Sequence, residues 1–221
     1  MEGPLDVATS PAAKPPKPKL RGVSHLIGAV VALVASPVLY LSASEETQML
    51  GLGIYGICLI LLLAISALYH TPMWKPAARA RLRRVDHSMI FIFVAGTYTP
   101  ILMELGDRVS PVMMPAVWIA ALVGIAMALF FTGVPRYVRA APYVVMGWGC
   151  AVILPALYTH LGQSPFWLLL GGGLAYSLGA IVYARRIPNP APTVFGYHEI
   201  FHLLVLIAAT CHYVAIWEIS V

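Results

Sequence analysis

Seven apolar runs follow one another along the chain, separated by short polar segments: Gly22 to Leu41, Met49 to Tyr69, Ser88 to Leu105, Pro111 to Phe131, Pro142 to Tyr158, Pro165 to Tyr183 and Tyr197 to Ile219. Each approaches the roughly 20 residues that carry a helix across ~30 Å of hydrocarbon. A backbone in lipid must satisfy its own polar groups, so these runs predict helices rather than open strands. The pattern therefore predicts an all-α integral membrane protein, a bundle of seven transmembrane helices over residues 22–221. Residues 1–21, with Pro15, Pro16 and Pro18 set between lysines, have the composition of a disordered basic tail. Ser42, Ala43 and Ser44 follow the first run as a signal cleavage site would. That run exceeds the ~7 to 15 residues of a signal core, however, and is read as a span.

Prolines and glycines refine the picture. Pro72, Pro111, Pro142 and Pro165 stand at run ends, where a missing amide hydrogen costs little. Pro37, Pro100, Pro115 and Pro155 lie within runs and predict kinks, tolerable where neighbouring helices or hydroxyls satisfy the freed carbonyls. Gly171, Gly172, Gly173 and Gly179 predict a smooth face for close helix packing.

Charge adds an orientation. Thirteen of the fourteen lysines and arginines fall in four segments on alternate sides of the runs: Lys14 to Arg21, Lys75 to Arg84, Arg136 with Arg139, and Arg185 with Arg186. Arg108 alone falls on the other side. Cationic loops remain cytosolic during insertion, which predicts a cytosolic N-terminus and an external C-terminus. A soluble domain is excluded by 60% apolar residues, 10% charged residues and a mean hydropathy of +0.82, since soluble domains carry about a quarter charged residues. The net charge of +5 is accounted for by basic loops against anionic headgroups, so membrane lipids are the expected partners and nucleic acid is not. Cys58, Cys150 and Cys211 sit singly inside apolar runs, as buried reduced thiols do.

Against this apolar background the ionisable residues carry the chemistry. Each costs about 2.5–3.5 kcal/mol at a helix centre on insertion scales, and such residues face the bundle interior. Five of the seven histidines, His25, His70, His87, His198 and His202, fall near the cytosolic ends of the predicted helices. His198 and His202 are four residues apart, which places both imidazoles on one helix face within reach of one metal ion. Ser66 lies one turn deeper than His70 on the same face, and Asp86 opens the third predicted helix at a similar depth. Three neutral imidazoles leave zinc one open position for water, and a nearby carboxylate can take that water's proton. His70, His198, His202 and Asp86 supply this inventory. His25, His87, His160 and His212 read more simply as hydrogen-bonding histidines. The string His198-Glu199-Ile200-Phe201-His202 also matches a zinc protease motif with Glu199 as base. Such a site needs a third ligand downstream, and only His212 and Glu218 follow, near the opposite face.

The segments Arg21 to His25, Ser66 to His70, Arg84 to His87, Ala95 to Pro100 and Phe195 to His202 resemble the hemolysin III family of bacterial membrane proteins. That family is grouped with adiponectin and progestin receptors and with alkaline ceramidases. The resemblance covers the chain from Arg21 onward. It implies His70, His198 and His202 as zinc ligands, Asp86 as the partner of a water, and Ser66 as a supporting or oxyanion-stabilising hydroxyl. It also implies a multi-pass protein of the bacterial plasma membrane, with a lipid amide as the expected substrate of a zinc-dependent hydrolase. Two other roles come with it: cytolysis through a pore, and regulation of membrane lipid state by a protein whose zinc is structural. No amphipathic segment stands ready to insert, which speaks against the pore. Closed zinc sites are structural and open ones catalytic, so three histidines plus water favour hydrolysis.

Overall fold

The computed structural model describes residues 17–106, 109–131 and 133–221. Seven helical spans cross the bundle in succession, and no strand occurs among the described residues. They are α1 (Val23–Leu41), α2 (Glu46–His70), α3 (Pro76–Leu105), α4 (Ser110–Phe130), a fifth span made of α5 (Arg136–Trp148) and α6 (Leu154–His160), then α7 (Gln163–Arg185) and α8 (Tyr197–Ser220). Successive helices pack side by side, and the ring closes where α8 meets α1. The central member is α3, which touches α2, α4, α5, α6 and α8.

Several helices outrun their apolar segments. Lys75 precedes Pro76 at the first helical position, where proline's fixed φ favours initiation, and Ala77 to Arg84 are good helix formers. The basic stretch Arg79 to Arg84 is therefore helical, and Asp86 sits more than two turns inside α3 rather than opening it. Likewise α5 begins at Arg136, so Pro142 lies inside a helix rather than at its end. Apolarity marks only the part of a helix that sits in hydrocarbon, whereas propensity continues it beyond.

The fifth span is broken. A 3-10 turn, Gly149–Ile153, separates α5 from α6, and Pro155 begins the second piece. Tyr98 of α3 donates its hydroxyl to the carbonyls of Gly147 (2.8 Å) and Met146 (3.2 Å), caring for backbone acceptors that the break leaves open. The expected glycine face is only half present. A Cβ on Gly172 would meet the His212 ring at 2.4 Å and one on Gly179 would meet Phe201 at 3.3 Å, so both lie against α8. Gly171 and Gly173 have nothing within 4 Å, because residues one step away on a helix point about 100° aside. Arg108 and Lys14, and with Lys14 most of the predicted tail, lie outside the described residues.

An odd number of spans sets the two ends of the bundle at opposite faces. Lys17 donates to the carbonyl of Thr71 at the end of α2 (2.6 Å), the backbone of Lys19 and Leu20 bonds to Thr193 and Val194, and Arg136 reaches Tyr197 (2.8 Å). The basic segments thus meet at a single face, the arginine-rich end.

Candidate metal centre

Chain entry into α1 sets the first wall of the site. Gly22 has φ 86°, a left-handed conformation, and a Cβ there would stand 2.8 Å from the Cβ of His70. Glycine alone permits this approach without strain. It brings Arg21 and His25 against the last turn of α2, which carries Ser66 and His70. At the start of α8, Glu199 turns back to accept from the backbone N–H of Gly196 (2.7 Å), a capping interaction, and its other oxygen accepts from Arg21 Nε (2.5 Å). The buried carboxylate therefore pins the N-terminal segment to α8 and fixes the rotation of the helix that carries His198 and His202.

The result is a cluster of buried imidazoles. His70, His198 and His202 each offer a nitrogen, and these nitrogens all lie within 4.8 Å of one another. His70 Nε2 and His198 Nε2 are 3.2 Å apart. Ring centroids are 4.6 Å apart for His70 and His198, 4.5 Å for His198 and His202, and 4.9 Å for His70 and His202. Zinc–nitrogen bonds of about 2.0–2.1 Å at tetrahedral angles imply nitrogen pairs about 3.3 Å apart, which the His70–His198 pair matches. The Nδ1 atom of buried His202 has no hydrogen-bond partner. The donor set thus fits a divalent cation of the zinc type.

Around the three imidazoles stand the other residues singled out in the sequence. Asp86 Oδ2 is 3.9 Å from His70 Nε2, with the carboxylate 14% exposed. Ser66 Oγ is 2.8 Å from His25 Nδ1 and also faces the Asp86 carboxyl. His25, read from sequence as an ordinary hydrogen-bonding histidine, is more than that. Its ring lies parallel to that of His202 at 3.8 Å, so it buttresses one candidate ligand while bonding Ser66. The only signals for it were its depth and its place in the Arg21 to His25 segment. His87 lines the same cavity without joining the cluster, and His212 bonds the carbonyl of Leu169 (3.1 Å) far along α8. The three cysteines are free.

The imidazoles, Ser66 and Asp86 open on one cavity of about 970 Å³. It enters between arginines at the basic end, passes Asp86 and the histidines, and continues along α8 as far as His212 between Leu154, Leu157 and Leu169. Tyr197 and His212 both line it and are 15 residues apart, about 22 Å along a helix axis. A polar, cation-competent centre near one end of a long apolar chamber is suited to a lipid-like molecule.

A heptahelical membrane bundle with a buried triple-histidine cluster at one end defines the class. The sequence profile described as Haemolysin-III related matches residues 14–213, and the chain belongs to that family. It is 34% identical to Hemolysin-3 of Bacillus cereus over 191 residues, covering 83% of each chain. The Hemolysin-3 homolog of Bacillus subtilis (strain 168) is 32% identical over 191 residues, 83% of this chain and 85% of that one. An adiponectin receptor protein of Drosophila melanogaster is 28% identical over 222 aligned positions, 91% of this chain and 49% of that receptor.

Proposed function

We propose that this protein is a zinc-dependent hydrolase of lipid amides, working at the cytosolic face of a bacterial plasma membrane. The observation that carries the reading is the meeting of His70, His198 and His202 on a cavity that also holds Asp86. His70, His198 and His202 would hold the ion. Bound there, zinc supplies a Lewis acid and a water whose pKa falls to about 7. Asp86 would take a proton from the attacking water and pass it to the departing amine, which needs a carboxylate within reach of the ligand nitrogens. Ser66, facing Asp86, orients the carboxyl and offers a donor to developing charge on the carbonyl oxygen. The apolar walls hold the acyl chain and keep bulk water out. Glu199 has both oxygens engaged, by Arg21 and by the Gly196 amide, and is not available as the base of a protease.

One observation favours a second reading. The 3.9 Å between Asp86 Oδ2 and His70 Nε2 would let a small side-chain rotation make Asp86 a fourth ligand, closing the site into a structural clamp. Asp86→Asn separates the two. An open hydrolytic site keeps its zinc and loses turnover of acyl amides, whereas a closed one loses zinc along with thermal stability. Wild-type protein inactive against a broad panel of lipid amides would end the hydrolase reading. Sidedness has its own check: a cysteine at Arg81 should react only with membrane-permeant reagents in intact cells, and one at Glu46 with impermeant reagents. The reverse labelling would put the centre outside.

A further inference from the structure

The cavity mouth is strongly and asymmetrically charged. Among the described residues, seven arginines line the cavity beside one carboxylate, Asp86. Arg21 is matched by Glu199, and Asp86 stands beside His70. Arg83 and Arg136 are half-buried, and neither has a carboxylate partner among the described residues. Arg136 is held in place: it donates to Tyr197 Oη at 2.8 Å and lies over the Tyr183 and Tyr197 rings at 5.6 and 5.9 Å. These contacts orient the guanidinium without neutralising it. Arg79, Arg185 and Arg186 add charge at the rim. Topology alone explains arginines at this end of the helices, but not their convergence on the cavity. Arg81, on the same turn of α3, does not line it.

We infer that the cavity takes an anionic single-chain amphiphile, with its headgroup on Arg83 and Arg136 and its chain along α8. The inference deepens the proposed function, and rests on it only in placing the scissile group at the histidines. Guanidinium groups bind carboxylate and phosphate through paired charge-assisted hydrogen bonds, so either headgroup meets the chemistry. The Arg136 guanidinium carbon and the His198 ring both lie against the Tyr183 ring, at 5.6 and 5.9 Å from its centroid, so a single side chain bridges the anion site and this candidate ligand. An amide at those ligands is then separated from the charge by a short spacer. N-acyl amino acids have this arrangement. Hydrolysis adds one water across the C–N bond, with hydroxide going to the acyl carbon to give a fatty acid and the proton to nitrogen to release the amino acid.

The test begins with binding, using probes that cannot be hydrolysed at an amide. Full-length protein in phosphatidylcholine nanodiscs is titrated with dodecyl phosphate, with dodecanol and with inorganic phosphate. The phosphate amphiphile should bind about tenfold or more tighter than the alcohol, from charge-assisted hydrogen bonds. That contrast should vanish in the Arg83→Gln/Arg136→Gln variant, survive in Arg81→Gln and be largely restored by Arg136→Lys beside native Arg83. Unchanged dodecanol binding reports that the double variant is folded. Equal binding of both probes, an equal loss in Arg81→Gln, or full competition by millimolar inorganic phosphate would overturn the inference, the second by reducing it to general surface charge. Turnover is measured separately on N-dodecanoylglycine and neutral N-dodecanoylglycinamide, where the acid should be preferred by about tenfold on the same grounds. Hydrolysis of the neutral amide without charge-selective binding would sink this inference and leave the hydrolase standing. Charge-selective binding without any hydrolysis would do the opposite.

Discussion

Neighbouring helices α3 and α4 differ in a way that inverts the rule for soluble proteins. The most apolar stretch of α4 has a mean hydropathy of 2.3 and is 17% buried, while that of α3 has 1.5 and is 67% buried. Buried α3 carries Ser88, Thr97 and Thr99, whose hydroxyls donate to the carbonyls of Arg84, Phe93 and Ala95 one turn back, and Tyr98, which supports the broken fifth span. Outward-facing α4 displays Val112, Ile119, Leu122 and Phe130. Lipid tails are as apolar as leucine, so no hydrophobic force draws α4 inward. Polar groups are what the interior collects, because only there can they find partners. Small residues then let the helices close up: a Cβ on Gly124 of α4 would stand 2.2 Å from the Phe91 ring of α3.

The sharpest way to use this contrast is to substitute on each side of it. His198→Ala or His202→Ala, on the polar interior, should remove most of the zinc measured by elemental analysis, since two imidazoles make a weak site. Purified wild type without any first-row metal would remove the basis of the proposed site. Glu199→Gln should lower stability by about 2 kcal/mol, the scale of a hydrogen bond to a charged group, visible as a lower thermal midpoint. Zinc should be retained, since the amide can still cap Gly196. Gly124→Ala should cost about 1–3 kcal/mol by overpacking against Phe91, read from the same unfolding curves. Ile119→Ala, with its side chain facing outward, should fall within about 0.5 kcal/mol of wild type, as surface substitutions do. A loss as large as that of Gly124→Ala would mean that α4 packs against a protein partner rather than lipid. Gly171→Ala should be the mildest, neutral or stabilising by up to about 1 kcal/mol, because nothing stands in the way and alanine favours helix.

Much of this was legible in the chain. The seven spans, their order and the gathering of the basic segments at one face follow from apolar length and charge, which act locally and leave a periodic trace. The i, i+4 spacing of His198 and His202 declared a shared face. Less visible were the interruption of α5 and α6 at Gly149–Ile153, for which Pro155 suggested only a kink, and the helical continuation of the basic stretch into Arg79 to Arg84. Sequence placed Gly171 to Gly173 together, and helix geometry separates them. It also left His25 as an unremarkable polar residue. Its partners, Ser66 and His202, are 41 and 177 residues away, and no local pattern encodes such a meeting.

Taken alone, the sequence determined membrane residence, helix number and the identity of the ionisable residues that must be hidden, because the transfer cost of each segment depends on its own composition. Tertiary structure decided the rest: that His70 from α2 faces His198 from α8 at 3.2 Å, that Gly22 admits the N-terminal segment against α2, and that seven arginines from separate segments converge on one cavity. These depend on how helices rotate and approach one another, which is governed by packing and by the pairing of buried polar groups across hundreds of possible registers. A single helix carries no record of which neighbour will satisfy it.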